Sequence, residues 1–405
     1  MGHKTQIAVI LLAAALAPAS AHADLVVGGV ATVTHSEGDK AVILNRMNRN
    51  DNTFNSLRLN LIAHASIAEN TTLHLEYLID EAALSTTALT FLRPWVQFDH
   101  LAGQDWLNVQ AGMIPLNFGT WGERAQSNSN PVIGVPLMSG YHTNLKFDGL
   151  PPNGDSLLAR RGRGQFGINY MDPRGTGFKG MPTIYEACWD VGVEVYGAAG
   201  VLEYSGAVTY GTPSVPMMTG QESNDEPGFR GRLGLSRLPG PLFGARVGVS
   251  GAGGAYLPET LPIPAGHEAE DYDQIAWGID AEYGLGPAVV RGEAVWNRWE
   301  LPENTTPNKW LPAHVDNFGW YVETRVTVAA GFFVGGRLDG MDFSEITSPS
   351  GKTDEWDAPL TRYEVGGGWR AERTWEIRYV YQDWHYKDME DLDTQLYAVQ
   401  LRVAF

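Results

Sequence analysis

Charged side chains recur at every second position along otherwise apolar segments of this chain. Within residues 317–328, apolar Phe318 and Val322 alternate with a polar set that includes Glu323 and Arg325. Successive side chains of a β-strand point to opposite faces, so such a segment has one apolar face and one charged face. A packed core does not tolerate this density of charge, whereas a hydrated surface does. The charged face is therefore predicted to be in contact with water.

The same alternation extends along most of the chain. If the apolar face of each strand points outward, the ionisable side chains point inward and line a hydrated interior. This predicted inward set consists of Arg58, His74, Glu76, Asp190, Glu194, Glu203, Arg230, Arg232, Arg246, Asp280, Glu282, Arg291, Glu293, Glu323, Arg325, Arg337, Arg362, Glu364, Glu376, Arg378 and Arg402.

Several of these charges lie at matching distances on either side of short turns. Opposite charges that face each other across antiparallel strands favour that register. The predicted cross-strand pairs, with a register error of one pair, are Asp280 with Arg291, Glu323 with Arg337, and Glu364 with Arg378. Coincidence in an evenly mixed lining is the alternative interpretation.

One long segment, residues 115–163, interrupts the strand pattern and carries a group of arginines. They are Arg124, Arg160, Arg161 and Arg163. If this segment folds into the interior, these cations form part of a constriction that acts on small polar or anionic solutes. A junction between a loop and a strand on the protein surface is the alternative.

Other motifs do not predict catalysis or a bound cofactor. Residues 162–167 match G-x-G-x-x-G, but they precede a strand instead of leading from a strand into a helix, so the dinucleotide interpretation fails. His64, His74 and Glu76 form a conceivable metal or pH-sensing group, although ordinary polar residues are the simpler reading. We predict no catalytic, cofactor-binding or metal-binding residues, and therefore no enzyme.

Composition excludes further classes of protein. The chain has 405 residues, 29 basic and 47 acidic, with a formal net charge of −18. It lacks the cations that a nucleic-acid binder uses to neutralise phosphates. One cysteine, Cys188, excludes an intramolecular disulfide framework and a Cys-rich zinc site.

The first 23 residues have the features of a secretory signal peptide. A basic start at Lys4 precedes an apolar run at residues 7–17, and Ala-His-Ala at 21–23 matches a cleavage site. We predict cleavage before Asp24 and one membrane domain over residues 24–405.

Turn spacing in the second half of the chain alternates between short and long connections. Short turns, most of them with Gly or Pro and one of them at residues 370–373, alternate with long polar loops. All short turns therefore lie at one end and all long loops at the other. This layout is typical of a transmembrane antiparallel β-barrel with short periplasmic turns and long external loops. We predict an all-β barrel of about 16–18 strands. A soluble double-layer β protein is the alternative, but its loops need not sort by length. The predicted outward sets also end in Trp or Tyr, among them Trp299 and Trp384, as the aromatic girdles of a membrane barrel would.

Two segments resemble Gram-negative outer-membrane porins, nearest to the phosphate-selective porin O/P type. Residues 395–405 alternate and end in Phe405, which resembles the assembly signal of outer-membrane barrels. Residues 109–119 resemble the strand-to-loop segment of the O/P-type porins. The resemblance implies a homotrimer of 16-stranded pores, each with a loop folded inward. The acidic composition departs from the family, so phosphate selectivity is not implied.

These observations predict a passive diffusion porin for small hydrophilic solutes or ions in the bacterial outer membrane. Its partners would be outer-membrane lipid, lipopolysaccharide and small polar solutes. Acidic runs such as residues 222–226 and 268–273 fall in the long loops and favour a modest cation preference. The alternatives are a barrel sheath around a multihaem cytochrome and, less favoured, an outer-membrane barrel enzyme.

Overall fold

The computed structural model of the protein describes residues 24–38, 54, 56–80, 91–124, 129–164, 180–185, 189–217, 224–303, 311–372 and 374–405. The predicted signal peptide and Cys188 lie outside these residues. Within them, 16 antiparallel strands form one closed barrel. The prediction of a closed antiparallel barrel is confirmed, and the strand number is at the lower end of the predicted range.

The strands follow the alternating segments of the sequence. In chain order, the barrel strands are β1 (Asp24–Gly38), β2 (Leu57–Ala68), β3 (Thr71–Asp80), β4 (Phe91–Phe98), β5 (Asn108–Pro115), β6 (Trp189–Ala199), β7 (Leu202–Thr209), β8 (Gly228–Leu235), β9 (Ala245–Ala255), β10 (Asp273–Leu285), β11 (Ala288–Glu300), β12 (His314–Ala329), β13 (Phe332–Phe343), β16 (Leu360–Ala371), β17 (Trp375–Tyr386) and β18 (Thr394–Ala404). A separate hairpin outside the barrel wall consists of β14 (Glu345–Thr347) and β15 (Thr353–Glu355).

Connections sort by length between the two ends of the barrel. The turn between β10 and β11 spans residues 286–287, and that between β12 and β13 spans residues 330–331. At the opposite end, β5 and β6 are separated by residues 116–188, and β9 and β10 by residues 256–272. We refer to the short-turn end as the inner end and to the long-loop end as the outer end.

The first and last strands form the seam of the barrel. Strand β1 pairs with β18 from Val30 opposite Ala404 to Gly38 opposite Leu396. The backbone of Phe405 extends this seam, because its carbonyl accepts from Gly29 N at 2.9 Å and its amide donates to Gly29 O at 3.0 Å. The seam is thus hydrogen-bonded from Gly29 to Gly38 of β1, as a barrel surrounded by lipid requires.

The outer surface of the wall is apolar. Val27, Phe229 and Val365 expose 65%, 58% and 54% of their surface. The rings of Trp277 and Trp296 stack with centroids 4.0 Å apart. Large apolar side chains all around a closed barrel are stable when hydrocarbon covers them. The protein is therefore located in the bacterial outer membrane, as predicted.

Two aromatic side chains occupy the opposite face from the one that the sequence suggested. Trp299 and Trp384 end apolar runs, but they are 0% and 2% exposed and face the interior. In β11 the outward position belongs instead to Arg298, which pairs with Asp316. At this end of the strand the outward side borders water, so a charged residue can replace an apolar one there. The alternation of apolar and charged residues then no longer indicates which face a side chain occupies.

The described α-helices are short and lie between β5 and β6. They are α1 (Trp121–Arg124), α2 (Leu137–Gly140) and α3 (Gly154–Leu158). None of the described helices has the length and apolar character needed to cross a membrane.

Candidate functional site

A long segment between β5 and β6 lies inside the barrel. We call residues 116–164 the inward loop; residues 116–124 and 129–164 of it are described. Leu137, Tyr141 and Leu145 are 0%, 2% and 0% exposed. They belong to one cluster of buried apolar side chains that also includes wall residues Phe343 and Trp384. The hydrophobic effect therefore favours the loop inside the barrel over a position on its outer surface.

Arginines of the wall bind carbonyl oxygens of this loop. Arg337 Nη1 donates to Gly134 O at 2.7 Å, and Arg362 Nη2 donates to Val135 O at 2.6 Å. Three longer bonds of 3.3 Å join Arg291 to Ser129 O, Arg325 to Asn130 O and Arg378 to Val132 O. Residues 129–135 of the loop have no helix or strand, so their buried backbone groups need such partners.

Carboxylates of the wall accept bonds from amide groups of the same loop. Glu364 accepts from Gly134 N at 2.8 Å, Asp339 from Leu137 N at 2.9 Å and Glu293 from Thr120 N at 3.2 Å. Arginines and carboxylates of the wall thus both bind backbone groups of the loop. The loop therefore largely covers the wall charges that the sequence predicted to face water.

Two glycines permit this close approach. A Cβ atom on Gly134 would collide with the Glu364 carboxylate, and a Cβ atom on Gly119 would collide with the Glu293 carboxylate. Gly119 also has a φ of +61°, which disfavours other residues.

The predicted constriction arginine Arg124 lies in the middle of this arrangement. Its Nη1 is 2.6 Å from Glu323 Oε1, and its Nη2 donates to Tyr321 Oη at 2.9 Å. Glu323 also bonds Arg337 at 2.7 Å and lies 3.7 Å from Arg291 Nη1. One buried carboxylate therefore faces three guanidinium groups.

The other three predicted loop arginines contact different elements. Arg161 forms ion pairs with Asp354 and Glu355 of β15. Arg163 is half exposed and lies 3.9 Å from Asp391, and Arg160 is exposed. The structure does not bring these residues to the partners of Arg124. A shared constriction made by all four arginines stays a prediction without support from these contacts.

A buried carboxylate fixes the outer part of the inward loop. Asp357, in the connection between β15 and β16, accepts backbone N–H groups from Asn144 at 2.8 Å, Gly162 at 2.6 Å and Ala358 at 2.8 Å. Burial raises the pKa of Asp357 to about 6, although the hydrogen bonds oppose this shift.

The remaining inward residues of β6 to β10 form close ion pairs. These pairs are Arg230 with Asp190 at 2.7 Å, Arg232 with Asp280 at 2.6 Å and Arg246 with Glu203 at 3.0 Å. Glu194 accepts from Asn117 Nδ2 of the inward loop at 2.6 Å. The positive and negative charges of this part of the wall largely compensate each other.

The cross-strand register confirms part of the predicted pairing. Glu323 is opposite Arg337, as predicted. Arg291 is opposite Glu282 and not Asp280, an error of one pair that lies within the stated range.

The third predicted pair, Glu364 with Arg378, is wrong. Glu364 lies opposite Gln382, and Arg378 lies opposite Gly368. The strand β16 continues through Arg370 and Ala371, so the turn begins two residues later than the sequence pattern suggested.

The wall from β2 to β4 carries a different set of side chains. Arg58 lies opposite Asp80 in the register and is partly buried, and Glu76 pairs with Arg93 at 3.3 Å. The Nδ1 atoms of His64 and His74 are 2.6 Å apart. Among the described residues, no third His, Cys, Asp or Glu joins them in a group that could hold a metal ion.

Arginines surround one carboxylate near the inner end. Arg370 is 2.7 Å and Arg325 is 3.9 Å from Glu376, and Arg378 forms an ion pair with the same carboxylate. Arg402 lies directly opposite Glu376 in the register of β17 and β18. Sequence reasoning assigned Arg370 to a turn and missed it. Arg370 is an even number of residues away from Arg362 in the same strand, so both side chains lie on the inward face. This spacing was the signal that could have placed Arg370 inside the barrel.

No family model and no curated protein sequence matches this chain. Solved structures do match over nearly its whole length. OmpT of Vibrio cholerae, an outer membrane protein, matches in a form without loop L8 with a TM-score of 0.56 and 9% identity, covering 95% of this chain and 100% of that chain. The trimer form of OmpT matches with a TM-score of 0.52 and 9% identity, covering 95% and 99%.

An anion-selective porin from Comamonas acidovorans matches with a TM-score of 0.54 and 10% identity, covering 95% of this chain and 100% of that chain. At these identities the likeness concerns the fold. The chain thus has the barrel fold found in outer-membrane porins.

Proposed function

We propose that the protein is a passive diffusion porin for small hydrophilic solutes or ions. The observation that carries this proposal is the division of the barrel wall, apolar on its outward face and ionisable on its inward face. Inward charge in a membrane barrel is stable next to water or next to compensating groups. A barrel with such an interior offers polar solutes a path that the surrounding lipid does not.

The inward loop supports a size-limited channel. It is bound to the wall by wall arginines and carboxylates, among them Arg337 and Glu364, so it occupies a fixed part of the cross-section. Solutes can pass only through the part of the cross-section that this loop and the described wall leave open. We propose that Arg124 lies at the narrowest part, together with the pore-lining set predicted from the sequence.

The two alternative functions have less support. A sheath around a multihaem cytochrome needs an interior wide enough for a protein, and here the inward loop occupies that interior through bonds such as Arg362 to Val135. A barrel enzyme needs polar groups directed at a substrate. The described wall carboxylates Glu323, Asp339 and Glu364 are instead bound to arginines or backbone amides.

The proposal extends to the assembly and the surroundings of the barrel. We propose a homotrimer, and the trimer form of OmpT of Vibrio cholerae is a neighbour in fold. The apolar outer face would contact lipid, and the acidic external loops would contact lipopolysaccharide through divalent cations. Cleavage before Asp24 and kinship with the O/P-type porins, through residues 109–119 and 395–405, are also part of the proposal.

Conductance in planar lipid bilayers tests the function. We expect the purified, folded protein to insert with discrete conductance steps, and liposomes that contain it to swell in small sugars but not in large ones. The same preparation after heat denaturation is the control. Folded protein that neither conducts nor permits swelling would contradict the proposal. Chemical crosslinking in outer-membrane fractions tests the trimer.

A further inference from the structure

We propose that His64 and His74, which we call the histidine pair, bind a divalent transition-metal cation such as Cu²⁺ near the inner end of the barrel. The inference rests on the proposed function, because the cation reaches the pair through the hydrated interior. It adds a class of solute to that function, namely divalent cations that prefer nitrogen ligands.

The register of β2 and β3 brings the two imidazole rings together. His64 lies directly opposite His74, a short distance from the turn at residues 69–70. His64 is an even number of residues from Arg58 in β2, and His74 is two residues from Glu76 in β3, so both belong to the inward set. Both histidine side chains are partly exposed. The pair is therefore open to ions dissolved in the interior.

The ring nitrogens of the pair converge on one point. The two Nδ1 atoms are 2.6 Å apart, and the ring planes meet at 77°. Without a cation, one Nδ1 donates a proton to the other in a hydrogen bond, and a metal ion can take the place of that proton.

A small movement converts this contact into a chelate. Two nitrogens that each lie about 2.1 Å from one metal ion, at a right or tetrahedral angle, are about 3.0–3.4 Å apart. The two Nδ1 atoms must therefore separate by about half an ångström. The ring of His64 can supply this movement, because its hydrogen-bonding and ring contacts within the described part of the chain are to His74.

Neighbouring side chains hold His74 in position. Its ring stacks on that of Trp95, with centroids 4.5 Å apart and planes 7° apart. Asp99 lies near enough to act electrostatically on this imidazole. The Asp99 carboxylate is itself fixed by Gln97 Nε2, which donates to its two oxygens at 2.9 and 3.1 Å. Groups around a metal ligand that orient it and add negative charge favour the bound cation.

The donor atoms determine which cations fit the histidine pair. Imidazole nitrogen suits Zn²⁺, Ni²⁺ and Cu²⁺, of which Cu²⁺ binds most tightly, whereas Mg²⁺ and Ca²⁺ prefer oxygen ligands. Among the described residues, no third His, Cys, Asp or Glu completes a metal group here. Water or a ligand carried by the solute therefore fills the other coordination positions. Such a partial site suits permeation, because an ion that enters must also leave.

Calorimetric titration with CuCl₂ tests the site, on the folded, detergent-solubilised full-length protein without an affinity tag. We expect a saturable Cu²⁺ site with which MgCl₂ does not compete. His64→Gln and His74→Gln should each weaken this site by about 100-fold, because linking two ligands raises affinity by about 10²–10⁴. The readout is the difference between variant and wild type, so that metal binding elsewhere in the chain cancels.

His314→Gln is the matched control. His314 lies near the outer end of β12, 3.7 Å from Asp316, and its side chain is 45% exposed. Its substitution also removes one imidazole, but it leaves the histidine pair intact. This variant should therefore bind Cu²⁺ at the pair like the wild type.

The outcomes separate the site from the proposed function. Loss of the saturable site in His64→Gln and His74→Gln, with His314→Gln unchanged, supports the inference. A protein that conducts in planar bilayers but binds Cu²⁺ equally in wild type and both pair variants, or does not bind it, overturns the site and leaves the porin proposal intact. Binding that depends on the pair without conductance supports the site and contradicts the porin. Where one pair variant does not fold, as judged by gel mobility with and without heating, the other decides.

Discussion

Two positions in the wall combine one buried glutamate with several arginines, yet the surroundings differ. At mid-wall, Glu323 faces Arg124, Arg291 and Arg337. Arg337 also contacts a second carboxylate, Glu364, at 3.6 Å. Charge is therefore shared among several acids and bases, and the loop covers them.

At the inner end the arginines around the glutamate are partly exposed, since the side chains of Arg325 and Arg370 expose 14% and 30% of their surface. Glu376 faces Arg325, Arg370 and Arg378, with Arg402 opposite in the register. A cavity is lined here by Arg325 and Arg370, and Arg325 and Arg378 also donate to the loop carbonyls of Asn130 and Val132. Arginines thus bind the inward loop at both positions, and the two positions differ in how far their guanidinium groups are buried.

The largest expected effect follows from removing the mid-wall carboxylate. Glu323→Gln leaves Arg124 and Arg337 buried without their main counter-charge, which should lower the free energy of unfolding by about 3–5 kcal/mol. Urea unfolding in lipid vesicles, followed by tryptophan fluorescence, measures the change. Glu372→Gln is the control, because this exposed residue should change stability little. A loss below about 1 kcal/mol at Glu323 would show that the mid-wall charges do not depend on one another.

A smaller effect concerns pH and the outer part of the inward loop. The pKa of Asp357 is raised from 3.8 to about 6, so the folded protein holds a proton that the unfolded chain has released between these values. Stability should therefore fall as the pH rises from 3.8 to about 6 and become level above that, by about 1 kcal/mol or more in total.

Comparison with Asp357→Asn isolates this contribution from that of other acids. The difference in unfolding free energy between wild type and variant should depend on pH only within that range. A difference that stays constant across it would contradict the raised pKa. The measurement adds Asp357 to the comparison of buried carboxylates. The partners of Asp357 are backbone amides instead of arginines.

The smallest effect is expected outside the barrel interior. Arg298 and Asp316 form a bidentate ion pair with 47% and 38% of their side chains exposed. Water screens such pairs, so Arg298→Gln should change the unfolding free energy by about 0.5 kcal/mol or less. A loss as large as that of Glu323→Gln would mean that burial does not explain the difference between the two sites.

Alternation in the sequence was sufficient to predict the barrel and the face of most charged residues. It predicted the pairing of Glu323 with Arg337, because a short turn fixes the register of that hairpin. It failed for Glu364 and Arg378, since the glycines at residues 366–368 carry no side chains that mark a face, and Arg370 was taken as part of the turn.

Alternation in the sequence could not predict that the inward loop lies inside the barrel. Its bonds to the wall use backbone atoms, such as Gly134 O and Gly134 N, and these are the same in every sequence. Its apolar residues fit a buried position in any part of a protein. The assignment of Arg124 to the interior therefore depended on an inward fold that residue types alone do not specify.

The positions of the loop partners along the chain imply an order of events during assembly. Gly134 precedes its partners Arg337 and Glu364 by 203 and 230 residues, and Gly162 precedes Asp357 by 195. Contacts between residues so far apart form slowly, because a long stretch of chain must first be ordered. The loop therefore cannot dock until β13 and β16 have joined the growing sheet. Before those strands are in place, Gly134 and Gly162 lack these partners, so docking of the loop depends on the carboxy-terminal third of the chain.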